Sequence, residues 1–157
     1  MSKSTRATLA LAAAKATFEV LTYDYDPDAD KIGMQAAESL GVSPSIVLKT
    51  LMAEVDGKPV CVVVPSDREV SMKKLAAAFK GKSANMMKPA NAEKVTGYVV
   101  GGISPFGQKK VVPTVFETEA MAHELVYMNG GQRGLQVKLS PTDAVAVLKA
   151  ISAPVVA

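Results

Sequence analysis

The alternation of apolar and polar residues predicts a chain of short strands separated by helices. The longer predicted strands cover residues 18–25, 47–55 and 60–65, and an Asp-Gly turn joins the last two into a hairpin. Shorter strands are predicted over residues 83–87, 114–117, 124–128 and 135–139. Predicted helices cover residues 5–16, 34–40, 72–79, 89–96 and 142–151. Ser71 and Ser140 are the predicted N-caps of the third and the last of these helices, and Gly97 is predicted to end the fourth.

The order of these elements determines the expected fold class. It contains no regular repeat of strand, helix and strand, so we expect an α+β fold with a mixed, curled or barrel-like sheet flanked by helices. We expect a single domain over residues 1–157. Ser4 is the predicted N-cap of its first helix, and residues 152–157 are expected to fray.

A glycine-rich stretch, Gly101 to Lys110, lies between two apolar runs with the character of strands, residues 98–100 and 111–112. It contains three glycines, a serine and a proline, so its backbone can approach another molecule closely. Free N–H groups beside positive charge favour an anion or oxyanion site. The alternative is an ordinary hairpin turn with solvated lysines, and the loop by itself does not decide between them.

Lys49 lies in the predicted strand 47–55, where its neighbours on the same face are Val47, Leu51 and Ala53. Burying an unpaired ammonium is costly, so this lysine either reaches solvent at a sheet edge or points into a polar pocket. In a pocket it would bind phosphate or carboxylate, or take part in proton transfer. The residues leave both alternatives open.

Composition narrows the class of protein. The 157 residues are 48% hydrophobic and 21% charged, as in a folded domain, and no apolar run approaches the ~20 residues of a membrane helix. The single cysteine, Cys61, excludes an internal disulfide and is expected to be a buried inert thiol. The single histidine, His123, argues against a Cys/His zinc site. We therefore expect a cytoplasmic protein without a metal or cofactor.

Charge is unevenly distributed although the net charge is only +3. Residues 19–38 contain six acidic side chains and one lysine, whereas residues 66–110 contain one arginine and eight lysines against three acidic side chains. The basic part could attract a polyanion such as RNA, or it could be a solvated surface.

Four motifs in this order resemble the YbaK/EbsC family: Val47-Leu48-Lys49-Thr50-Leu51, Gly97 to Pro105, Gly107-Gln108-Lys109-Lys110 and Gly130 to Leu135. The similarity extends from about Tyr23 to Asp143 and is greatest to the branch of Cys-tRNA(Pro) deacylases. These proteins are free-standing aminoacyl-tRNA deacylases related to the editing domain of bacterial prolyl-tRNA synthetase.

The resemblance implies a trans-editing hydrolase that cleaves the ester of Cys-tRNA(Pro), and by extension of Cys-tRNA(Cys), with the substrate thiol as nucleophile. The implied catalytic residues are Lys49, Gly101, Gly102 and Ile103. The implied substrate-binding residues are Tyr23, Ile32, Thr50, Met52, Ser104, Pro105, Asn129 and Gly130. The implied tRNA-binding residues are Lys109, Lys110 and Arg133.

Two residues depart from the family pattern and leave the amino acid open. Ile32 stands where some members have an aromatic residue, and Asn129 stands where a serine is common. The alternatives are a deacylase of Ala-tRNA(Pro) or another small mischarged amino acid, and a non-catalytic module that binds an RNA end. The expected partners are mischarged tRNA and, in a ternary complex, prolyl-tRNA synthetase, with neither DNA nor a membrane.

Overall fold

A computed structural model describes residues 4–28 and 32–157 of the chain, which form an α+β fold. The helices of this part of the chain are α1 (Arg6–Ala13), α2 (Ile32–Leu40), α3 (Met72–Ala78), α4 (Pro89–Thr96) and α5 (Pro141–Leu148). Its strands are β1 (Glu19–Thr22), β2 (Leu48–Val55), β3 (Lys58–Pro65), β4 (Ala84–Met86), β5 (Thr114–Glu117), β6 (Val126–Asn129), β7 (Leu135–Leu139) and β8 (Ile151–Ala153).

The strands form two sheets. The larger sheet has the order β4-β2-β3-β5-β8, with β2 antiparallel to β3 and β4, and with β5 parallel to β3 and β8. The smaller sheet is antiparallel with the order β1-β7-β6, and a bridge between Val47 and Tyr127 links it to the start of β2. The predicted α+β class with a mixed sheet and flanking helices is confirmed. The described strands do not close into a barrel.

Both faces of the larger sheet are buried, which explains the continuous apolar run of β3. One face contributes Met52, Cys61 and Val63 to a core that also contains Leu11 of α1. The opposite face contributes Val62, Val64 and Val115 to a second core that contains Leu75 of α3. The first residues of β2 lie where the two sheets meet, because the Val47–Tyr127 bridge joins the sheets there.

Local signals set most helix boundaries. Ser71 and Ser140 accept hydrogen bonds from the first turns of α3 and α5, as predicted, and Gly97 ends α4 with a φ of 80°. The first N-cap is Thr5, and the prediction of Ser4 is wrong. Thr5 Oγ1 accepts from the Thr8 N–H while the Thr5 N–H donates to Thr8 Oγ1, which forms a capping box.

The last residues of the chain belong to the fold, which contradicts the expectation that residues 152–157 fray. Residues Ile151–Ala153 pair with β5, and Val156 forms a bridge with Val70. The N–H groups of Val155 and Val156, both buried residues, donate to the carboxylate of Glu117. The partners of this segment are remote in sequence, so its own composition did not reveal the contacts.

Candidate functional site

A pocket of about 360 Å³ lies beside the first half of β2. Six of the expected site residues line it, namely Lys49, Thr50, Met52, Gly101, Ile103 and Asn129. The remaining lining residues are mostly apolar, with Ser66, Glu69 and Gln136 as the polar exceptions. Residues that are 52 positions apart in sequence, Lys49 and Gly101, therefore meet at one cavity.

The side chain of Lys49 is 22% exposed and lines the pocket. Its Nζ lies 3.8 Å from Oε1 of Glu69, whose side chain is 74% exposed at the same cavity. The lysine therefore lines a largely apolar pocket while its ammonium lies beside an exposed carboxylate at the cavity. The ammonium is thus placed where it can attract an anionic or carbonyl oxygen of a ligand.

Two buried polar atoms face this region without a hydrogen-bond partner among the described residues: Thr50 Oγ1 and Gln136 Oε1. Unsatisfied buried polar groups are rare in folded proteins because each costs ~1–3 kcal/mol. Both residues line one pocket, so a ligand or solvent molecule there could supply their missing partners, whereas a third such atom, the Tyr23 hydroxyl oxygen, lies outside this lining.

Gln136 was not predicted as a site residue. The alternation of Leu135, Val137 and Leu139 in β7 pointed the intervening residues outward, yet Gln136 is only 4% exposed. β7 is the central strand of the smaller sheet, and the face that carries Gln136 borders the pocket. No signal in the sequence distinguishes this strand as central, so only the tertiary structure identifies the residue.

The glycine-rich loop has no flanking strands, which contradicts the strand character expected of residues 98–100 and 111–112. The Gly101 carbonyl accepts a hydrogen bond of 3.1 Å from Asn129 Nδ2, and Gly101 has a φ of 91°. The N–H groups of Gly101 and Ile103 donate to no acceptor among the described residues. Both residues line the pocket, so their N–H groups are candidate donors to a ligand there.

Gly102 has a different role from the one expected of a catalytic backbone donor. Its N–H donates to the Val99 carbonyl at 2.8 Å, so this group is not available to a substrate. Gly102 is buried, and a Cβ at this position would lie 2.9 Å from the backbone nitrogen of Arg133. The residue thus allows two backbone segments to approach each other.

Ser104, Pro105 and Gly130 lie outside the pocket lining. Ser104 is fully buried, its Oγ accepts from the Phe106 N–H, and Pro105 beside it is also buried. Gly130 belongs to the connection between β6 and β7, where its N–H donates to Leu135 and its carbonyl accepts from Thr5. In the described structure these residues hold the shape of the loops around the pocket.

Tyr23 packs in a separate apolar cluster with Val47 and Tyr127 and does not line this pocket. Burial, with a contribution from Tyr25, raises the pKa of Tyr23. The tyrosine beside the glycine-rich loop is Tyr25, because a Cβ on Gly101 would lie 2.6 Å from its hydroxyl. The side chain of Ile32 lies outside the described part of the chain.

The basic residues expected to contact tRNA lie in the loop or beside it and do not line the pocket. Lys109 and Lys110 are exposed, and their N–H groups bond to the end of α4. Arg133 donates from Nε to the Val100 carbonyl at 3.0 Å, and its guanidinium lies 5.5 Å from the centre of the Tyr25 ring. All three can present positive charge to a ligand that extends from the pocket.

The remaining reactive side chains lie away from the pocket. Cys61 is fully buried, and burial raises the pKa of its thiol to about 12, which makes it unreactive. His123 ends the short 3₁₀ turn Thr118–Ala122 and is not part of the lining.

Within residues 4–28 and 32–157, no group of three or more His, Cys, Asp or Glu side chains is arranged to hold a metal. No helix in the same ranges has the length and apolar character needed to cross a membrane.

Comparisons with known proteins relate this chain to tRNA editing. A family model described as an aminoacyl-tRNA editing domain matches residues 26–147. EbsC of Enterococcus faecalis, named as a candidate Cys-tRNA(Pro)/Cys-tRNA(Cys) deacylase, is 37% identical over 122 residues, which are 76% of this chain and 74% of that protein. Proline–tRNA ligase of Maridesulfovibrio salexigens is 31% identical over 100 residues, which are 64% of this chain and 17% of the ligase.

Solved structures show the same fold. One is described as a candidate trans-editing enzyme for prolyl-tRNA synthetase, with a TM-score of 0.83, 18% identity and 99% of each chain covered. Another, a hypothetical protein named APE2540, has a TM-score of 0.87 at 23% identity, with 98% of this chain and 100% of that chain covered. The family match includes both Lys49 and the glycine-rich loop, and the expected relationship is confirmed. The chain belongs to the family of aminoacyl-tRNA editing domains.

Proposed function

We propose that this chain is a trans-editing hydrolase that deacylates Cys-tRNA(Pro) and Cys-tRNA(Cys). The observation that carries the proposal is the meeting of Lys49 with Gly101 and Ile103 at one pocket. This arrangement combines a cation with free backbone donors, which are the groups needed to stabilise the developing negative charge of ester cleavage. The name of the relative EbsC supports cysteine as the amino acid and these two tRNAs as carriers.

The pocket suits a small, weakly polar side chain. Its volume of about 360 Å³ is at the lower end of ligand pockets, and Leu51, Met52 and Ile103 supply much of its apolar surface. The flexible, polarizable thioether of Met52 adapts well to another sulfur-containing group. The tRNA would extend outward past Lys109, Lys110 and Arg133, whose charges complement phosphates.

The chemistry follows from which groups are present. The substrate thiol loses its proton to solvent, its sulfur forms a bond to its own ester carbonyl carbon, and the bond from that carbon to the ribose oxygen breaks. The ribose oxygen takes up a proton, and a cysteine thiolactone leaves. The N–H groups of Gly101 and Ile103 stabilise the oxyanion formed on the way, and Lys49 orients the ester through the nearby ribose and phosphate. The unreactive thiol of Cys61 agrees with a reaction that uses no cysteine of the protein.

The test is a panel of mischarged tRNAs assayed with the wild-type chain and with Lys49→Ala. We expect Cys-tRNA(Pro) to be deacylated with thiolactone release, and Lys49→Ala to lower kcat/KM about a hundredfold or more. Lys58→Ala, which removes an exposed lysine at the other end of the same hairpin, is the matched control for charge. Cys61→Ala and His123→Ala should retain most of the activity.

Three results would contradict the proposal in different ways. Full activity of Lys49→Ala would remove that residue from the mechanism. Hydrolysis of Ala-tRNA(Pro) but not of Cys-tRNA(Pro) would show that the substrate carries another small amino acid instead of cysteine. Retention of every ester together with RNA binding would identify a non-catalytic module for an RNA end.

The contact with tRNA is tested by salt. If Lys109 and Lys110 contact phosphates, the logarithm of the binding constant should fall linearly with the logarithm of salt concentration, and each substitution by alanine should reduce the slope by about 0.7. An unchanged slope in both variants would show that these lysines do not contact RNA.

We also propose that prolyl-tRNA synthetase joins a ternary complex, which co-sedimentation of the three components would detect.

A further inference from the structure

The described lining of the pocket contains two charged side chains of opposite sign. They are Lys49 and Glu69, with Nζ and Oε1 3.8 Å apart. Lys49 is largely covered, whereas Glu69 lies at the opening with 74% of its side chain exposed. An incoming substrate therefore meets the carboxylate of Glu69 before it reaches the ammonium.

The segment that carries Glu69 is fixed on both sides by hydrogen bonds. Ser66 donates from both its backbone N–H and its hydroxyl to the Val47 carbonyl, next to the start of β2. The Glu69 carbonyl accepts from the Ala157 N–H, and the Ser71 N–H donates to Val155. These contacts tie the Glu69 backbone to the segment before the strand of Lys49 and to the end of the chain, so they place its side chain beside the pocket.

An aminoacyl ester presents only one cation to such a pocket. Its α-ammonium is bonded to the carbon next to the ester carbonyl, while the ribose is neutral and the phosphates are anionic. The carboxylate of Glu69 and the ammonium of Lys49 lie within 4 Å of each other at the same cavity. The α-ammonium and the ester oxygens of the substrate are similarly close, so the first can meet the carboxylate while the second meet the ammonium. Glu69 is the one described lining residue with the charge that an α-ammonium requires.

We propose that the carboxylate of Glu69 binds the α-ammonium of the aminoacyl ester and thereby selects esters with a free amino group. The inference rests on the proposed function, because it assigns a role at the same pocket. Its consequence is a substrate class: N-acylated aminoacyl-tRNA and peptidyl-tRNA lack the cation and are poor substrates. The neutral acceptor Gln136 Oε1, which is buried deeper, provides no such selection by charge.

A different role for Glu69 predicts the opposite result and is separable by experiment. If Glu69 only neutralised Lys49, its removal would strengthen the attraction between Lys49 and the anionic tRNA. Binding of free and N-acylated substrates would then improve together. Under our proposal only the substrate with a free α-amine responds, and it binds more weakly.

The experiment compares Glu69→Gln with the wild-type chain on two substrates, Cys-tRNA(Pro) and its N-acetyl derivative. We expect Glu69→Gln to raise KM about fivefold for the free amine, to leave kcat within about twofold, and to leave KM for the N-acetyl ester unchanged. Asp67→Asn removes an exposed negative charge two residues away and serves as the matched control, with no change expected on either substrate. Equal changes for both substrates, or a lower KM, would overturn the proposal.

A second measurement keeps this inference separate from the catalytic one. Amide-linked 3′-cysteinylamino-3′-deoxyadenosine, which is not hydrolysed, is titrated calorimetrically into wild type and Glu69→Gln beside its N-acetyl form. We expect the wild type to prefer the free amine and the variant to lose this preference, whether or not any ester is cleaved. Absence of a preference in the wild type would refute the role of Glu69, whereas absence of deacylation alone would refute only the hydrolase.

Discussion

The buried carboxylate of Glu117 connects the end of the chain to the rest of the fold, and its removal should be strongly destabilising. Glu117 is 1% exposed. Its Oε1 accepts from the N–H groups of Val155 and Val156 at 2.7 and 3.0 Å, and its Oε2 accepts from the Glu119 N–H at 2.8 Å. The donors at Val155 and Val156 are buried with it, so they have no ready replacement in solvent.

The magnitude follows from the number and kind of these hydrogen bonds. A bond to a charged group contributes ~1.5–3 kcal/mol, and a buried donor left unpaired costs ~1–3 kcal/mol. Glu117→Ala removes both acceptor oxygens and with them all three hydrogen bonds, so we expect a loss of about 3–5 kcal/mol in the free energy of unfolding. Glu117→Gln keeps one acceptor oxygen but places an amide donor against another donor, and we expect a loss of about 2–3 kcal/mol. Either loss is a large part of the ~5–15 kcal/mol typical of a domain.

The assay is urea denaturation of each variant, combined with hydrogen exchange at the amides of Val155 and Val156. The matched control is Glu119→Gln, because that exposed carboxylate forms a 2.7 Å ion pair with Arg68 and should contribute at most about 1 kcal/mol. The reasoning is refuted if the free energy of unfolding of Glu117→Gln lies within about 0.5 kcal/mol of the wild-type value, or if the control loses as much stability as Glu117→Gln. It is refuted equally if the two amides exchange no faster in the variant.

Two further predictions concern the glycine-rich loop. Gly102→Ala should lower the free energy of unfolding by about 1–3 kcal/mol and reduce editing activity, because the added Cβ would lie 2.9 Å from backbone. Gly41→Ala is the control, because Gly41 has a φ of 70° and no atom within 4 Å of an added Cβ. It should lower the free energy of unfolding by about 1 kcal/mol and leave activity unchanged. Equal activity in the two variants would count against the close approach. Tyr98→Phe should lower the free energy of unfolding by about 1–2 kcal/mol at pH 7, because the Phe106 carbonyl loses its hydrogen-bond donor. Burial raises the pKa of Tyr98 from 10.0 to about 12, so its contribution is present below pH 10 and is lost between pH 10 and 12. Urea midpoints at pH 7 and 11.5 should therefore show a smaller difference from wild type at the higher pH, and a constant difference would contradict this.

The local structure of this protein was largely predictable from the sequence. The hairpin of β2 and β3, the N-caps Ser71 and Ser140, and the end of α4 at Gly97 all appear where the pattern placed them. Each depends on residues within a few positions of one another, through alternation, capping or a turn that requires glycine. The motif around Lys49 likewise indicates the family from local sequence alone, and the family match includes it.

The arrangement of the pocket could be determined only by the tertiary structure. The sequence by itself indicated most of the strands, helices and turns and the family motif that they carry. It was wrong about strand character in residues 98–100 and 111–112, and about a helix that reaches Ile151, where β8 begins. The folded chain decided that Gln136 faces the pocket, that Tyr25 rather than Tyr23 lies against Gly101, and that the N–H of Gly102 is already used. The physical reason is that these outcomes depend on contacts between residues far apart in the chain, and no local periodicity encodes which distant surfaces will meet.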